Sequence, residues 1–537
     1  MTRRIVVWAG VLAALFAVGW WVGRSSATAP SDLYQNLDVF VEVLQKVQQN
    51  YVDAVEPQAL IDAATRGMLR DLDPFSQFLD PRSWDNLKAA TQGSFGGIGI
   101  VVTVRDNFPT VISPIEGGPA WTLGLRPGDM IVKIDGQSSA GLQVEEVANR
   151  LRGPAGSRVT ITVRGEGEPE DRDYEITREI IVTRSVPYAF VLEGRTGYLR
   201  LANFSENSGS EVRAAMARLE SQGASRLVLD LRANPGGLLD QAVDVVEQFV
   251  KPGTLVVFTR GRSKGQDNRY YSAEKHPQLS WPLVVLVNEG SASASEIVAG
   301  TLQDLDRALV VGENSFGKGS VQSVYPLRGR DAALKLTTAL YYTPSGRSIH
   351  RAANDRPLTR VSASPEGLED QAGDDEIPVP ARPDTTPPPM FRTAAGRMVQ
   401  GGGGVRPDVV VAPDSMPPVV RRLETRALPL RFANRWVNAH RAGSAGAAGE
   451  SPWNAFVDFL RSENVDFRAE EFERERPALD RALRRELARR SGGDGAAARV
   501  ALEGDPVFAR AVEILSRSRS PREVFTVADA SARASGR

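Results

Sequence analysis

Apolar residues recur at helical spacing in the first part of the chain and fall into short runs after it. Over residues 32–87 they lie about three or four positions apart with charged residues between them, which predicts a few amphipathic helices. From residue 93 the apolar runs shorten, as at 98–104 and 130–134, and turn sequences rich in glycine and proline separate them. This change predicts a strand-rich module with a single helix at 144–151.

A second pattern begins at Gly197, where apolar strand-like runs alternate with amphipathic segments. It predicts strands at 226–231, 255–259, 283–287 and 308–312, and helices at 238–250 and 294–305. Alternating strands and helices are typical of an α/β layer in which helices pack on a largely parallel sheet. The fold class predicted from the pattern is therefore α/β.

The later part of the chain changes composition twice. Residues 363–395 carry an acidic run at 374–376 and a proline run at 387–389, which cannot fill a core and predict a flexible insertion or linker. Residues 414–537 have the pattern of charged helices with about one apolar residue per turn. Because charged helical faces are usually exposed, these helices are expected to form a solvated extension.

The first residues of the chain are typical of an exported protein. Arg3 and Arg4 precede an uncharged, mostly apolar run over residues 5–22, and residues 27–29, Ala-Thr-Ala, resemble a signal-peptide cleavage site. Residues 1–29 are therefore expected to be a membrane anchor or a cleaved signal peptide. Both alternatives place the folded domains in the bacterial cell envelope on the periplasmic side, with membrane contact through this segment if it is retained.

Composition narrows the chemistry. The 537 residues contain no cysteine, which excludes thiol catalysis, disulfides and cysteine-ligated zinc. The three histidines lie outside any recognisable triad motif, so a Ser-His-Asp hydrolase is disfavoured. A formal net charge of −1 gives no reason to expect a nucleic-acid partner. With 42% apolar residues, the chain is long enough to build two or three domains.

The clearest chemical motif is a serine block followed by a lysine block. Residues 290–297 read Gly-Ser-Ala-Ser-Ala-Ser-Glu-Ile, and residues 316–322 read Phe-Gly-Lys-Gly-Ser-Val-Gln. Ser293 at a helix start, with Lys318 downstream and no histidine nearby, predicts a serine nucleophile whose general base is lysine. Gln322 is placed to orient the amine through a hydrogen bond without restoring its charge.

Each half of this motif also has a plain structural interpretation. The sequence Ser293-x-x-Glu296 has the form of a helix capping box, and a lone lysine between glycines is usually exposed to solvent. A helix start nevertheless collects N–H groups where the negative charge of an oxyanion would develop. The turn at 230–237, Asp-Leu-Arg-Ala-Asn-Pro-Gly-Gly, follows an apolar strand, and its glycines can offer a further N–H.

A third feature is the glycine-rich stretch at 94–100, Ser-Phe-Gly-Gly-Ile-Gly-Ile, at the start of a predicted strand. Bare backbone amides at such a position can bind the terminal carboxylate of a peptide, and the strand that follows can pair with that peptide. Together with the sequences at 124–129 and 134–136, this stretch resembles a PDZ domain over residues 93–175.

The PDZ resemblance implies specific binding groups. Ile98, Gly99 and Ile100 would donate the carboxylate-binding amides, and the helix at 144–151 would wall the peptide groove. The alternative is that the glycines form only a bulge and a hairpin.

Several further motifs follow one another in a fixed order over residues 33–413. They are Leu-Asp-Pro at 72–74, the PDZ module, the turn at 231–237, the serine block, the lysine block, Tyr-Thr-Pro-Ser-Gly-Arg-Ser-Ile at 342–349 and Gly-Val-Arg-Pro-Asp at 404–408. This series resembles the carboxyl-terminal processing peptidases, which are tail-specific serine-lysine proteases. The resemblance implies an N-terminal helical region at 30–92, a crotonase-like α/β peptidase core at 185–413 interrupted by the β-rich PDZ domain, and a helical C-terminal extension at 414–537.

The resemblance also implies an activity and its residues. The expected activity is cleavage of protein substrates near their free C-terminal tails, with no metal or organic cofactor. A homo-oligomer formed through the helical regions is a further expectation. The implied site consists of the nucleophile Ser293, the general base Lys318, Gln322 as the residue that orients it, and oxyanion donors from Ala294 and one of Gly236 and Gly237.

Two other functions remain open from the sequence. One is a non-proteolytic PDZ scaffold of the cell envelope that binds protein C-termini without cutting them. The intact set of Ser293, Lys318 and Gln322 argues against it, since a scaffold needs none of them. The other is a hydrolase of small amides or cell-wall peptides, but the S-x-x-K sequence of penicillin-binding enzymes is absent around Ser293.

Overall fold

The computed structural model describes residues 31–115, 117–165, 170–351, 388–440, 451–465 and 468–535. The predicted anchor or signal peptide at 1–29 lies outside the described residues, as does most of the predicted insertion at 363–395. Within those described ranges, no helix has an apolar stretch long enough to cross a bilayer. The described chain forms two compact units, one containing the residues up to Asp80 together with Val324–Leu336, and the other containing the remainder.

The first unit contains two helices and a short strand. Its elements are α1 (Ser31–Asn50), α2 (Pro57–Arg70) and β1 (Gln77–Leu79). Pro57 occupies the first turn of α2 and Arg70 the last, as expected from the missing N–H of proline and from the helix dipole. Strand β1 pairs antiparallel with residues 333–335. Arg330 forms an ion pair with Asp62 at 3.1 Å.

The glycine-rich region folds into a β-rich module. Its elements are α3 (Pro81–Gln92), β2 (Ser94–Gly97), β3 (Ile100–Arg105), β4 (Phe108–Pro114), α4 (Pro119–Thr122), β5 (Met130–Ile134), β6 (Gln137–Ser138), α5 (Val144–Leu151), β7 (Arg158–Arg164), β8 (Asp171–Thr177) and β9 (Glu179–Val182). The sheet order is β3-β4-β5-β7-β8, with β6 paired to β5. Fully buried Val111, Ile131, Val147 and Ile161 form the centre of its core. Strand β3 lies at an edge of the sheet.

The peptidase region contains a largely parallel sheet, as the alternating pattern predicted. Its elements are β10 (Ala189–Leu192), β11 (Thr196–Arg200), α6 (Ser208–Ser221), β12 (Arg226–Asp230), α7 (Leu239–Glu247), β13 (Leu255–Gly261), β14 (Arg269–Tyr271), β15 (Leu283–Val287), α8 (Ala294–Asp304), β16 (Leu309–Gly312), β17 (Ser320–Pro326), β18 (Ala333–Tyr342), β19 (Met390–Arg392), β20 (Met398–Gln400) and β21 (Val409–Val410). The sheet order is β10-β11-β12-β15-β16-β21, and every pair except β10–β11 is parallel. Helices α6, α7 and α8 cover one face.

One predicted strand belongs to a different sheet. The run at 255–259 was expected within the parallel layer, but β13 pairs antiparallel with β14 and with the end of β18. The burial patterns give the reason. Every residue of β15 is buried, as required of a strand covered on both faces, whereas β13 contains buried, partly exposed and exposed residues.

The C-terminal helices do not form a solvated extension, so that expectation is wrong. They are α9 (Pro418–Thr425), α10 (Leu428–Ala439), α11 (Pro452–Ser462), α12 (Ala469–Arg474), α13 (Arg476–Leu502), α14 (Pro506–Ser516) and α15 (Glu523–Ser535). Helices α9 to α13 enclose a core of their own, which includes Leu428, Phe456 and Leu460. Helices α14 and α15 cover the second face of the parallel sheet. Apolar residues at 507, 508, 511, 514 and 515 form one continuous stripe that outweighs the charges around it.

Candidate active site

Ser293 lies at the start of α8 with an unusual backbone conformation. Its φ is 54° and its ψ is −113°, whereas an ordinary N-cap residue is extended. A positive φ is unfavourable for a residue that carries a Cβ, and such conformations cluster at functional sites. The strained turn therefore favours a role for Ser293 beyond helix capping.

Glu296, one turn into α8, connects the serine block to the lysine block. Its buried carboxylate accepts hydrogen bonds from the Ser293 N–H at 2.8 Å, the Ser315 hydroxyl at 2.5 Å, the Gly317 N–H at 2.7 Å and the Lys318 N–H at 2.9 Å. Burial raises the pKa of the Glu296 carboxyl, and these four donors oppose that shift. The sequence indicated only a capping role for Glu296, because its contacts with residues 315, 317 and 318 lie about 20 positions away along the chain.

Tyr341 on β18 contacts the same two segments and was missed by sequence reasoning. Its hydroxyl donates to the carbonyl of Lys318 at 2.6 Å and lies 3.0 Å from the carbonyl oxygen of Ser293. Burial, and secondarily the Glu296 carboxylate, raises the pKa of Tyr341 well above its usual value, so the hydroxyl remains a donor. The buried side chains of Glu296 and Tyr341 thus each contact the backbones of both Ser293 and Lys318.

The lysine loop is packed rather than freely solvated. Lys318 is half-buried, and the glycines beside it lie against residues 350 and 351. A Cβ on Gly317, where φ is 92°, would come within 2.8 Å of the Arg351 Cβ. A Cβ on Gly319 would lie 2.7 Å from the backbone nitrogen of His350. Close packing of this kind disfavours the interpretation of Lys318 as a solvated lysine in a loose loop.

The glycine turn at 236–237 lies directly on the turn of Ser293. A Cβ on Gly236 would come within 2.7 Å of the Ala292 carbonyl oxygen and 2.8 Å of the Ser293 Cβ. The N–H of Gly236 already donates to Asn234 Oδ1 at 2.9 Å. Among the hydrogen bonds of the described residues, the N–H groups of Gly237 and Ala294 have no acceptor. Gly237 is therefore the better candidate of the two glycines for an oxyanion donor.

Asn234 fixes this turn against the serine block. Its side-chain amide donates to the Leu201 carbonyl at 2.9 Å. Its own carbonyl accepts from the Ala292 N–H at 3.0 Å and from the Ser295 hydroxyl at 2.9 Å. The sequence motif contained Asn234 without assigning it a role, and its position between β11 and α8 supplies one.

Gln322 lies on β17 next to the lysine loop. Its side-chain nitrogen donates to the Ser320 hydroxyl at 2.9 Å and to the Thr337 hydroxyl at 3.3 Å. These bonds hold the amide in one orientation. The predicted role of Gln322 in orienting the Lys318 amine stays a prediction.

The PDZ-like module presents a small pocket where the carboxylate-binding amides were predicted. Residues 97–100, helix α5 and Arg152 line a cavity of about 70 Å³. Gly99 has a φ of 73°, which turns the backbone at the start of β3. The Arg152 guanidinium lies 4.7 Å from the Phe95 ring, so a positive charge that the sequence did not indicate borders this pocket.

Comparisons with known proteins show the family to which the chain is similar. Residues 195–355 match the model of peptidase family S41, and residues 110–165 match that of a PDZ domain. A carboxy-terminal-processing protease of Bartonella bacilliformis is 44% identical over 320 residues, which cover 59% of this chain and 73% of that protein. A carboxyl-terminal-processing protease of Synechocystis sp. is 38% identical over 296 residues, which cover 54% of this chain and 68% of that protein.

A solved structure, that of a photosystem II D1 C-terminal processing protease, is 32% identical and covers 60% of this chain and 91% of its own, with a TM-score of 0.34. The sequence matches confirm the resemblance drawn from the motifs. The chain belongs to the carboxy-terminal processing proteases of peptidase family S41 and carries a PDZ domain.

Proposed function

We propose that this protein is a serine endopeptidase that cleaves protein substrates near their C-termini through a Ser293–Lys318 dyad. The observation that carries the proposal is the shared anchoring of the two residues. The Glu296 carboxylate accepts hydrogen bonds from the N–H groups of Ser293 and Lys318. The Tyr341 hydroxyl lies within hydrogen-bonding distance of the carbonyl oxygens of the same two residues. A strained serine and a packed lysine held by common partners suit a nucleophile and its base.

The mechanism follows from these positions. The neutral amine of Lys318 takes the proton of the Ser293 hydroxyl as the oxygen attacks the substrate carbonyl. The N–H groups of Gly237 and Ala294 stabilise the resulting oxyanion. Lys318 then gives its proton to the departing amine, and a water molecule hydrolyses the acyl-enzyme by the same route. Gln322 orients the Lys318 amine through its side-chain oxygen.

Selection of the substrate is assigned to the PDZ domain. The N–H groups of Ile98, Gly99 and Ile100 bind the terminal carboxylate, and the open edge of β3 pairs with the tail beside α5. The small pocket suits a small apolar terminal side chain. Residues 1–29 further support a location in the bacterial cell envelope, on the periplasmic side.

A direct experiment tests the proposed activity against the scaffold alternative. The purified protein is incubated with a folded protein that ends in an apolar tail, and the products are identified by mass spectrometry. Loss of residues from the tail is expected. A tail that binds and stays uncut would favour a scaffold instead, and the strained backbone of Ser293 would then have no explanation.

Amidation of the substrate C-terminus is expected to lower kcat/KM about tenfold, because it removes a charge-assisted hydrogen bond. The measurement compares acid and amide forms of one peptide at limiting concentration. In Gly99→Ala the added Cβ would lie 3.1 Å from the Ile181 side chain, and the alanine would have to adopt a positive φ. Because both effects would displace the carboxylate-binding amides, the ratio of kcat/KM for the acid to kcat/KM for the amide should decrease. Equal cleavage of both forms by the unaltered protein would place tail recognition elsewhere.

The predicted location is tested by protease accessibility in cells. The folded domains should be degraded by added protease once the outer layer of the cells is opened, and should be protected in intact cells. A cytoplasmic marker protein serves as the control. Protection of the domains after the outer layer is opened would contradict the periplasmic assignment.

A further inference from the structure

Helix α14 lies along β12, and a polar contact joins each end of the helix to a residue at or near one end of β12. Near its C-terminal end, the Leu515 carbonyl accepts a hydrogen bond of 2.7 Å from Arg226, the first residue of β12. At its N-terminal end, the Asp505 carboxylate contacts Arg232, just beyond the last residue of β12, at 2.5 Å. Between these contacts the helix buries Ala511 and Ile514 against the sheet. Of the two contacts, only that of Asp505 reaches the glycine turn of the candidate active site.

Arg232 is held by two carboxylates at once. Its guanidinium donates to Asp230 at 3.0 Å and 2.7 Å and to Asp505 at 2.5 Å. Burial of Asp230 opposes its ionisation, but Arg232 and Arg200 outweigh that cost and lower the pKa of Asp230 to about 2. Asp230 is therefore charged at neutral pH, and the planar fork of Arg232 is fixed between two anions.

The turn that follows Arg232 leaves little freedom between it and Gly237. Ala233 adopts a left-handed conformation with a φ of 49°, and its N–H donates to Asn288 Oδ1 at 2.7 Å. Asn234 closes the turn onto the Gly236 N–H. Arg232 and Gly237 belong to one short turn with these fixed points between them, so a displacement of Arg232 would change the position of the Gly237 N–H.

We propose that Asp505 is a positioning residue for the catalytic site. By holding Arg232 in place, Asp505 fixes the turn that presents the Gly237 N–H to the oxyanion. Helix α14 therefore contributes to catalysis as well as to the stability of the peptidase domain. This inference rests on the proposed function.

Asp505→Asn separates this role from that of helix capping. The Asp505 carboxylate also accepts the N–H groups of Val507 and Phe508 at 3.0 Å each, and asparagine is an equally good N-cap. The variant therefore keeps the helix start but loses the charge that holds Arg232. We expect kcat to fall about tenfold with KM changed less than about twofold, as expected when a transition-state interaction is lost.

Two further measurements distinguish positioning from plain stabilisation. A peptide boronate whose boron bonds to Ser293 Oγ places an oxygen in the oxyanion hole, so Asp505→Asn should weaken it by the same factor as kcat/KM. The matched control is Arg226→Gln, which breaks the contact at the other end of α14. It should lower Tm without changing kcat or boronate affinity. If Asp505→Asn is poorly folded, Asp505→Ser, which also caps helices, replaces it.

The outcomes distinguish a failure of the positioning role of Asp505 from a failure of the proposed peptidase activity. Loss of kcat and of boronate affinity in the Asp505 variant, with both retained in Arg226→Gln, supports positioning. Equal kcat and equal boronate affinity in both variants and the unaltered protein would show that the Asp505–Arg232 pair only fastens the helix. An unaltered protein that neither cleaves tails nor forms the Ser293 boronate adduct would instead overturn the proposed function.

Discussion

Replacement of Ser293 or Lys318 by alanine is expected to abolish cleavage while the fold is retained. Each variant removes one member of the dyad, and effects of at least roughly a thousandfold on kcat are usual for groups that act as a unit. Neither side chain belongs to the hydrophobic core, so circular dichroism and Tm should change little. The rate of tail removal is measured by mass spectrometry under single-turnover conditions.

Two companion variants sharpen this test. Lys318→Arg should be as inactive as the alanine variant, because a guanidinium does not lose its proton at workable pH and cannot serve as a base. Lys264→Ala removes an exposed lysine and should cleave at the rate of the unaltered protein. Cleavage at that rate by folded Ser293→Ala or Lys318→Ala would rule out the dyad mechanism.

Glu296→Gln is expected to damage both stability and activity. The Glu296 carboxylate accepts four hydrogen bonds, but the glutamine side chain would turn N–H groups toward some of these donors. Buried donors left without an acceptor cost about 1–3 kcal/mol each, so the free energy of unfolding should fall by at least that much. Because the segments of Ser293 and Lys318 would separate, kcat should fall about a hundredfold.

Chemical denaturation and single-turnover kinetics measure the two effects of this change. Glu289→Gln, which makes the same substitution at an exposed position before the serine block, is the control and should alter neither quantity. If Glu296→Gln retains the stability and the rate of the unaltered protein, Glu296 does not hold the two segments together.

Much of the fold was predictable from local pattern. The run at 283–287 is β15 as predicted, because a strand buried on both faces consists of apolar residues throughout. The pattern did not predict which sheet a strand joins, because that depends on the strands with which it pairs. The run at 255–259 was correctly predicted as a strand, but its assignment to the second sheet depends on pairing with β14 and β18, which no local period reports.

The candidate site divides in the same way. Ser293 and Lys318 could be predicted as the candidate nucleophile and base from the sequence, because glycine and small residues around them form motifs that span only a few positions. Tyr341 was not, since its contact with Ser293 joins residues 48 positions apart. Asp505 was harder still, because Arg232 lies 273 positions away and the intervening helices carry many other charges.

The sequence by itself determined the family, the α/β class and the residue types available for a nucleophile, a base and a carboxylate-binding loop. Only the tertiary structure showed which groups hold them in place. Glu296, Tyr341 and Asn234 contact the candidate site through buried hydrogen bonds between separate elements, and the role proposed for Asp505 depends on its ion pair with Arg232. Such contacts depend on the shape of the whole core and on the need to satisfy every buried polar group. Neither requirement produces a periodic pattern of residues in the sequence.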